Sequence, residues 1–302
     1  GDIRLSQGSE IVTAIRTTRQ ILVFTENSLH SVQFIGPPFT FGTAILGTNV
    51  RIAGPNTAIS VNDLVFWMGQ ENFYVYDGRI NPIPCSVRQY VFDDINRNQS
   101  FKFFAGSLSS NSEVWWYYCS ASSDEIDRYV IYNYLEQTWY YGTLARTAWN
   151  DRASGNRLYP QSPSTDSYLY NHEFGLDDGS QVPAVAVNAF IQSSDFDIGD
   201  GQQFMFVNRV LPDLNFATST ASSPEVTFTM GARNFSGSAA RQGSVNGDVI
   251  RSSVVSGTDN YTNQVFMRLR GRQVNFKVES DTLGVKWRLG APRLDARPDG
   301  RR

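Results

Sequence analysis

Histidine and cysteine are almost missing from this chain, with two of each in 302 residues. Cys85 and Cys119 are too few for the disulfide framework of a small secreted domain, so they read as free thiols of a chain made in a reducing cytoplasm. Neither His30 nor His172 has a Cys or carboxylate at zinc-ligand spacing around it, and hydrogen-bonded turn or strand histidines are the expectation. No nucleophile elbow, P-loop or strand-to-helix dinucleotide fingerprint occurs. The acids at Asp93-Asp94, Asp177-Asp178 and Asp197–Asp200 lack the ligand series of a calcium loop and read as solvated turns. These absences leave no catalytic residue, no metal and no cofactor to assign, and the chain reads as a non-enzyme.

Long apolar runs are missing as well. None approaches the roughly 20 residues that span a bilayer, and no basic-plus-hydrophobic leader opens the sequence. The net charge of −3 gives no global attraction to nucleic acid or to an anionic membrane. The chain starts without Met on residues that already look like strand interior. The expectation is therefore a piece of a longer product, with the rest of its first domain upstream.

Aromatic residues, by contrast, are abundant at 13%. The stretch that organises the rest is Asp63–Gly78, in which Leu64–Met68 and Phe73–Tyr76 flank the polar break Gly69–Asn72. Phe, Trp, Tyr and Val suit a pleated, mostly buried surface, and a short Gly-containing break between two such runs signals a hairpin. One hairpin is marginal alone in water, and the chain supplies relatives of it. Ile11–Ile15, Ile21–Phe24 and Leu29–Ile35 form an earlier unit, stopped by Gly36-Pro37-Pro38. Phe101–Ala105, Glu113–Cys119, Arg128–Tyr134 and Thr138–Gly142 form a later one. Arg157–Tyr159 and Ser167–His172 make a weaker copy. Four consecutive antiparallel strands per unit, recurring at blade-like intervals, predict partial β-propeller blades over residues 1–176. Residues 37–57 read as a long connection. Ile83–Ile95 predicts the one persuasive helix, with Ser86 as cap and Gln89 completing a capping box.

Beyond Leu176-Asp177-Asp178-Gly179 the rings thin out and alternation becomes cleaner, which predicts an antiparallel, β-sandwich-like domain over 177–302. Strands are expected at Ala184–Gln192, Gln203–Val210, Glu225–Met230, Gln264–Arg270, Gln273–Glu279 and Gly284–Leu289. Residues 231–263 read as a long loop. The fold class is thus all-β throughout.

Two groups of residues stand out. Phe66, Trp67, Tyr74, Trp115, Trp116, Tyr132 and Trp139 are candidates for blade core or for seams between blades and subunits, rather than a ligand platform. From Gln264 to Arg302 ten basic residues meet four acids, a local balance of +6. Arg268, Arg270 and Arg272 share one strand face, and the apolar phase flips at Gly271-Arg272. That flip predicts a tight turn or bulge there, with the arginines on the outer face of a hairpin. Arg293, Arg297, Arg301 and Arg302 lie in an extended tail that ties down on a neighbour or stays loose. Two readings of all seven remain open: DNA phosphates, or carboxylates across a subunit interface.

Several stretches also resemble a known family. Thr17–Gly36, Phe66–Gly78, Arg128–Tyr134 and the ending F-K-V-E-S…V-K-W-R-L-G…R-L-D-A-R-P-D-G-R-R are similar to tail tube, hub or nozzle proteins of short-tailed bacteriophages. The resemblance implies a virion structural protein assembled in the bacterial cytoplasm. It implies a hexameric ring around a channel that passes double-stranded DNA, with portal and adaptor proteins above and tail fibres or spikes outside. It carries no catalytic residues. Such a conduit should have a neutral or acidic lumen, because each phosphate contact slows transit. The alternative is a propeller that binds or cleaves glycans, for which Asp124, Glu125 or Asp177 would have to form a carboxylate pair.

Overall fold

The computed structural model describes residues 3–8, 10–151, 159–179, 182–235, 249–257 and 264–301. The chain divides into two compact units, Gly1–Phe174 and Gly175–Arg302. All of its sheets are antiparallel.

Unit 1 contains three consecutive four-stranded sheets of blade type. The first comprises Ile11–Arg16 (β1), Ile21–Thr25 (β2), Ser28–Gly36 (β3) and Thr40–Thr48 (β4). The second comprises Ala58–Val61 (β5), Leu64–Met68 (β6), Phe73–Tyr76 (β7) and Ile80–Ile83 (β8). The third comprises Phe104–Leu108 (β9), Glu113–Tyr118 (β10), Arg128–Asn133 (β11) and Thr138–Thr143 (β12). Each is a simple meander. The first strands of successive blades are neighbours, β1 beside β5 and β5 beside β9. Core residues are shared across blades: one apolar cluster joins Leu22, Phe24 and Leu29 to Trp67, and another joins Phe66 and Phe73 to Trp116 and Tyr132. No blade closes a core alone. A two-stranded hairpin follows, Gln161–Pro163 (β13) with Leu169–Asn171 (β14).

Four sequence expectations are corrected in this unit. Residues 37–57 are not a bare connection, because the prolines make a turn and β4 then pairs back on β3. Their Gly- and Thr-rich composition hides a strand whose partner supplies the order that its own propensity lacks. The helix covers only Arg88–Asp93 (α1), since Ile83 belongs to β8, and Val87 occupies the cap position with no side-chain capping bond from Ser86. Phe101 and Lys102 lie in a short 3-10 turn, so β9 starts at Phe104. Of the weaker repeat the described residues show a two-stranded hairpin, with its strands at Gln161–Pro163 and Leu169–Asn171 and Arg157 outside the described residues.

Unit 2 packs two sheets over one core. Ala189–Gln192 (β17), Glu225–Arg233 (β20), Val249–Ser256 (β21) and Gln273–Ser280 (β23) form one, in the order β17-β23-β20-β21. Met205–Leu211 (β18), Val265–Gly271 (β22) and Arg293–Pro298 (β25) form the other, in the order β22-β18-β25. Small pairs complete it: Asp177–Asp178 (β15) with Val185–Ala186 (β16), and Leu214–Asn215 (β19) with Arg288–Leu289 (β24). Alternation places Val226, Phe228 and Met230 in the core with Val207, Met267, Leu269, Val274 and Val278.

Here too the structure differs from the sequence expectation. The stretch 231–263 contains β21, paired along β20, while residues 236–248 and 258–263 lie outside the described residues. The 184–192 and 284–289 strands shrink to β16 with β17 and to β24. The arginine hairpin does not exist: β22 pairs with β18 and β23 with β20 and β17, so the chain changes sheets at Gly271-Arg272. The phase flip read from the sequence is this corner. Gly271 is required there, because a Cβ would stand 2.8 Å from Ala232 Cβ and 2.9 Å from the Arg233 amide nitrogen and carbonyl oxygen. The C-terminal tail is not loose up to Pro298. It is β25, laid antiparallel along β18 of its own chain.

Candidate functional site

The aromatic candidates sit where blades meet. Phe66, Trp67, Trp115, Trp116 and Tyr132 are buried, while Tyr74 and Trp139 are half-buried. Trp67 stacks on its cross-strand partner Tyr74 at 5.3 Å and meets Phe24 of the first blade edge-on at 5.3 Å. Phe73 lies 4.8 Å from both Trp116 and Trp139, and Trp139 lies 4.7 Å from Tyr132. These rings are spent on packing. Buried as fully as Trp67 and Trp116, Tyr117 has its hydroxyl pKa pushed above the usual tyrosine range by desolvation.

One polar cluster in unit 1 escaped the sequence reading. On the terminal hairpin, Ser162 Oγ lies 2.6 Å from His172 Nε2, and Arg146 Nε donates to the same nitrogen at 3.2 Å. Trp149 flanks the imidazole at 4.7 Å, and the Arg146 guanidinium covers the Tyr170 ring at 4.4 Å. Burial, helped by the Arg146 charge, lowers the His172 pKa to about 4. A serine against a histidine suggests a nucleophile and its base. The geometry argues otherwise. The Nε2 lone pair already accepts the Arg146 N–H, so it cannot take the serine proton, and Ser162 is fully buried. The cluster ties the loop at 145–150 to the hairpin. Its members come from three separated segments, and no sequence spacing announces them.

The carboxylates named for glycan cleavage are held in separate contacts, and Asp177, expected in a turn, lies in strand β15. Asp124 accepts from Gln99 Nε2 at 3.0 Å, Glu125 pairs with Lys102 at 2.6 Å, and Asp177 accepts the Gly284 amide at 2.8 Å. Three clefts in unit 1 show none of the paired carboxylates that glycoside hydrolysis uses. The first, about 490 Å³, has Arg16 and Asp63 among Thr17, Thr18, Ser60 and Asn62. The second, about 120 Å³, has only Arg97 as a charged group. The third, about 650 Å³, lies between Pro84–Ser86 and Gln137–Tyr140 and has no charged side chain. Its thiol, Cys85, is pushed up to about 11 by burial and stays protonated at neutral pH. Among the described residues no group of three His, Cys, Asp or Glu side chains is placed to hold a metal ion.

The arginines form a stacked face on the β22-β18-β25 sheet. In register across it, Phe206 lies between Arg270 and Arg297, one residue opposite on each side. The Arg297 guanidinium is 5.2 Å from the Phe206 ring, and Arg270 and Arg272 lie 3.9 Å and 5.1 Å from Phe204. Arg268 sits at a bulge with φ of 44° and lies 5.9 Å from Phe266. Of the seven named arginines, Arg270 forms the one ion pair among the described residues, with Asp299 at 2.5 Å. Arg272 donates to the Arg301 carbonyl at 3.4 Å. Arg293 is exposed at the start of β25, opposite Leu211, and Arg302 lies outside the described residues. Of the stacked arginines, Arg268 and Arg297 are exposed, and a guanidinium stacked on a ring is pre-positioned for carboxylate or phosphate oxygens.

No family model matches the chain, and no curated protein matches it. Among solved structures, an exo-β-1,3-galactanase from Phanerochaete chrysosporium, determined with galactose, is similar at 12% identity and a TM-score of 0.28, covering 91% of this chain and 78% of that one. A likeness of that size carries no argument about activity.

Proposed function

We propose that the chain is a structural subunit of a virion tail, of the hub or nozzle kind found in short-tailed bacteriophages. In this reading six copies form a ring around a channel that passes double-stranded DNA, below portal and adaptor proteins, and fibres or spikes attach outside. The observation that carries it is the surface of unit 1. Large apolar side chains stand in solvent at Phe34, Ile35, Phe39 and Phe41 on the first blade, and Tyr140 and Tyr141 do so on the third. Exposed clusters of this kind mark surfaces that are covered in an assembly. The stacked arginines of unit 2 add a face suited to acidic partners.

Sedimentation and negative-stain imaging test the reading. Six-fold rings, alone or with a portal–adaptor complex, support it, and a compact monomer at every concentration refutes it. The competing glycan reading rests on Trp139 and Tyr140 beside the hydroxyl and amide groups of Ser86, Gln137 and Thr138 in the third cleft. Specific binding on a glycan array by a chain that stays monomeric would favour it.

A further inference from the structure

The first blade carries an arm. Ile21, the first residue of β2, pairs with Val32, so from Gln33 onward β3 has β4 as its only partner, with Phe34 opposite Phe41 and Gly36 opposite Thr40. At about 3.3 Å per residue this two-stranded ribbon runs roughly 13 Å beyond the sheet. Phe39 at its turn is 77% exposed, Phe34 69%, Ile35 57% and Phe41 50%. A two-stranded ribbon is marginal on its own in water, and this one shows apolar side chains on both faces. No Asp, Glu, Lys or Arg occurs from Asn27 to Val50. The arm therefore suits a receptor that is apolar and uncharged.

The same chain holds such a receptor. The third cleft, lined by Pro84, Cys85, Ser86, Gln137, Thr138, Trp139 and Tyr140, has no charged side chain and is about 650 Å³, within the size range of ligand-holding clefts. The arm of the same chain does not fill it, since no arm residue lines it and the arm's large side chains are exposed. The β1–β2 turn, the β5–β6 turn and the arm lie at one end of the strands, because the Thr18 amide donates to Asp63 at 3.1 Å and β3 runs toward the β1–β2 turn. Pro84 follows the opposite end of β8. We infer that the arm at 33–42 of one copy docks in the Pro84–Tyr140 cleft of the next copy. A knob and a hole at different places on one chain make a head-to-tail contact, which closes into a ring if the rotation allows and otherwise runs on as a filament. The inference rests on the self-assembly proposed above and names its contact.

The test uses the native thiol in the cleft. A Phe39→Cys, Cys85→Ser double variant is mixed with wild-type chain under mild oxidation, so that an arm thiol can meet a cleft thiol only between copies. Cys119, the remaining thiol in both chains, is buried. The expected result is a cross-linked dimer that peptide mapping assigns to residues 39 and 85, absent when the double variant is oxidised alone. A Phe34→Ser, Phe39→Ser variant, which alters only exposed positions and should keep the wild-type circular dichroism, should weaken self-association by about tenfold or more. Rings or oligomers that persist in this variant, without the 39–85 cross-link, overturn the arm contact and leave the ring reading standing. A wild-type chain that never self-associates removes both. Arm-dependent flotation with phosphatidylcholine vesicles, with self-association unchanged, would assign the arm to lipid and overturn the inference.

Discussion

Two tryptophans of the blade core, both fully buried, should respond differently to the same substitution. Trp116 Nε1 donates to the Thr57 carbonyl at 3.0 Å. Trp67 Nε1 is buried with no hydrogen-bond acceptor among the described residues. Replacing either ring by Phe leaves a void worth about 1–2 kcal/mol. In Trp116→Phe a hydrogen bond is lost as well, for about 0.5–1.5 kcal/mol more. In Trp67→Phe, by contrast, the substitution removes an unpaired buried N–H, whose burial costs about 1–3 kcal/mol, so the two effects offset. The expected losses are about 2–3 kcal/mol for Trp116→Phe and within about 1 kcal/mol of zero for Trp67→Phe. Trp67→Ala should cost about 3–5 kcal/mol, since stacking on Tyr74 and the edge contact with Phe24 go with the ring. Urea unfolding followed by far-ultraviolet circular dichroism reads all three, because that signal does not depend on the ring removed. Equal losses for the two Phe variants would refute the hydrogen-bond assignment on which the contrast stands.

Other consequences can be measured with the same equipment. Unfolded, His172 takes its proton near pH 6.5, but in the folded chain only near 4. Above 6.5 it contributes nothing to the pH dependence. Between 6.5 and 4 the unfolded chain is protonated first, so stability falls with pH, and below 4 the loss levels off. Linkage sets an upper limit of about 3 kcal/mol, which partial solvent access reduces to about 1–2. His172→Gln should be flatter by that amount in urea midpoints between pH 7 and 4.5, and parallel slopes would contradict it. Gly271→Ala forces a Cβ against Arg233 backbone at 2.9 Å and should lower the stability of unit 2 by about 2–3 kcal/mol in calorimetry. An unchanged transition would mean that the corner has slack.

What could be read from the chain, and what could not, follows one physical line. Asp63–Gly78 announced β6 and β7 because its apolar runs are strong enough to state their own pairing. The third blade was visible for the same reason, in Glu113–Cys119 and Arg128–Tyr134. The strands β4 and β21 were not, since Thr-Phe-Gly-Thr-Ala and Arg-Ser-Ser-Val-Val owe their extended form to the neighbours β3 and β20. The helix was over-read because the capping box at Ser86 and Gln89 is a local signal, and β8 claimed Ile83 through pairing with Phe73. Gly271-Arg272 shows both sides at once. Alternation gave the flip correctly, yet it could not distinguish a hairpin from a change of sheet, because both reverse phase in the same number of residues. Ser162, Arg146 and His172 lay beyond any spacing rule, as contacts between distant segments do.

The outer edges of the blades give the last step. Each meander ends on a strand with one side unpaired: β4, β8 and β12. Such edges invite pairing with other chains, and monomeric proteins blunt them with lysine, proline, bulges or inward charges. Here β8 has Pro82 at its centre, a guard of that kind. The strand β4, Thr40–Thr48, has neither charge nor proline but carries two register shifts against β3, and β12, Thr138–Thr143, has none of these guards. One leads back from the apolar arm, and the other lines the uncharged cleft. In the ring proposed above, the open edge of β12 would be covered by a neighbouring copy, as the exposed arm would be.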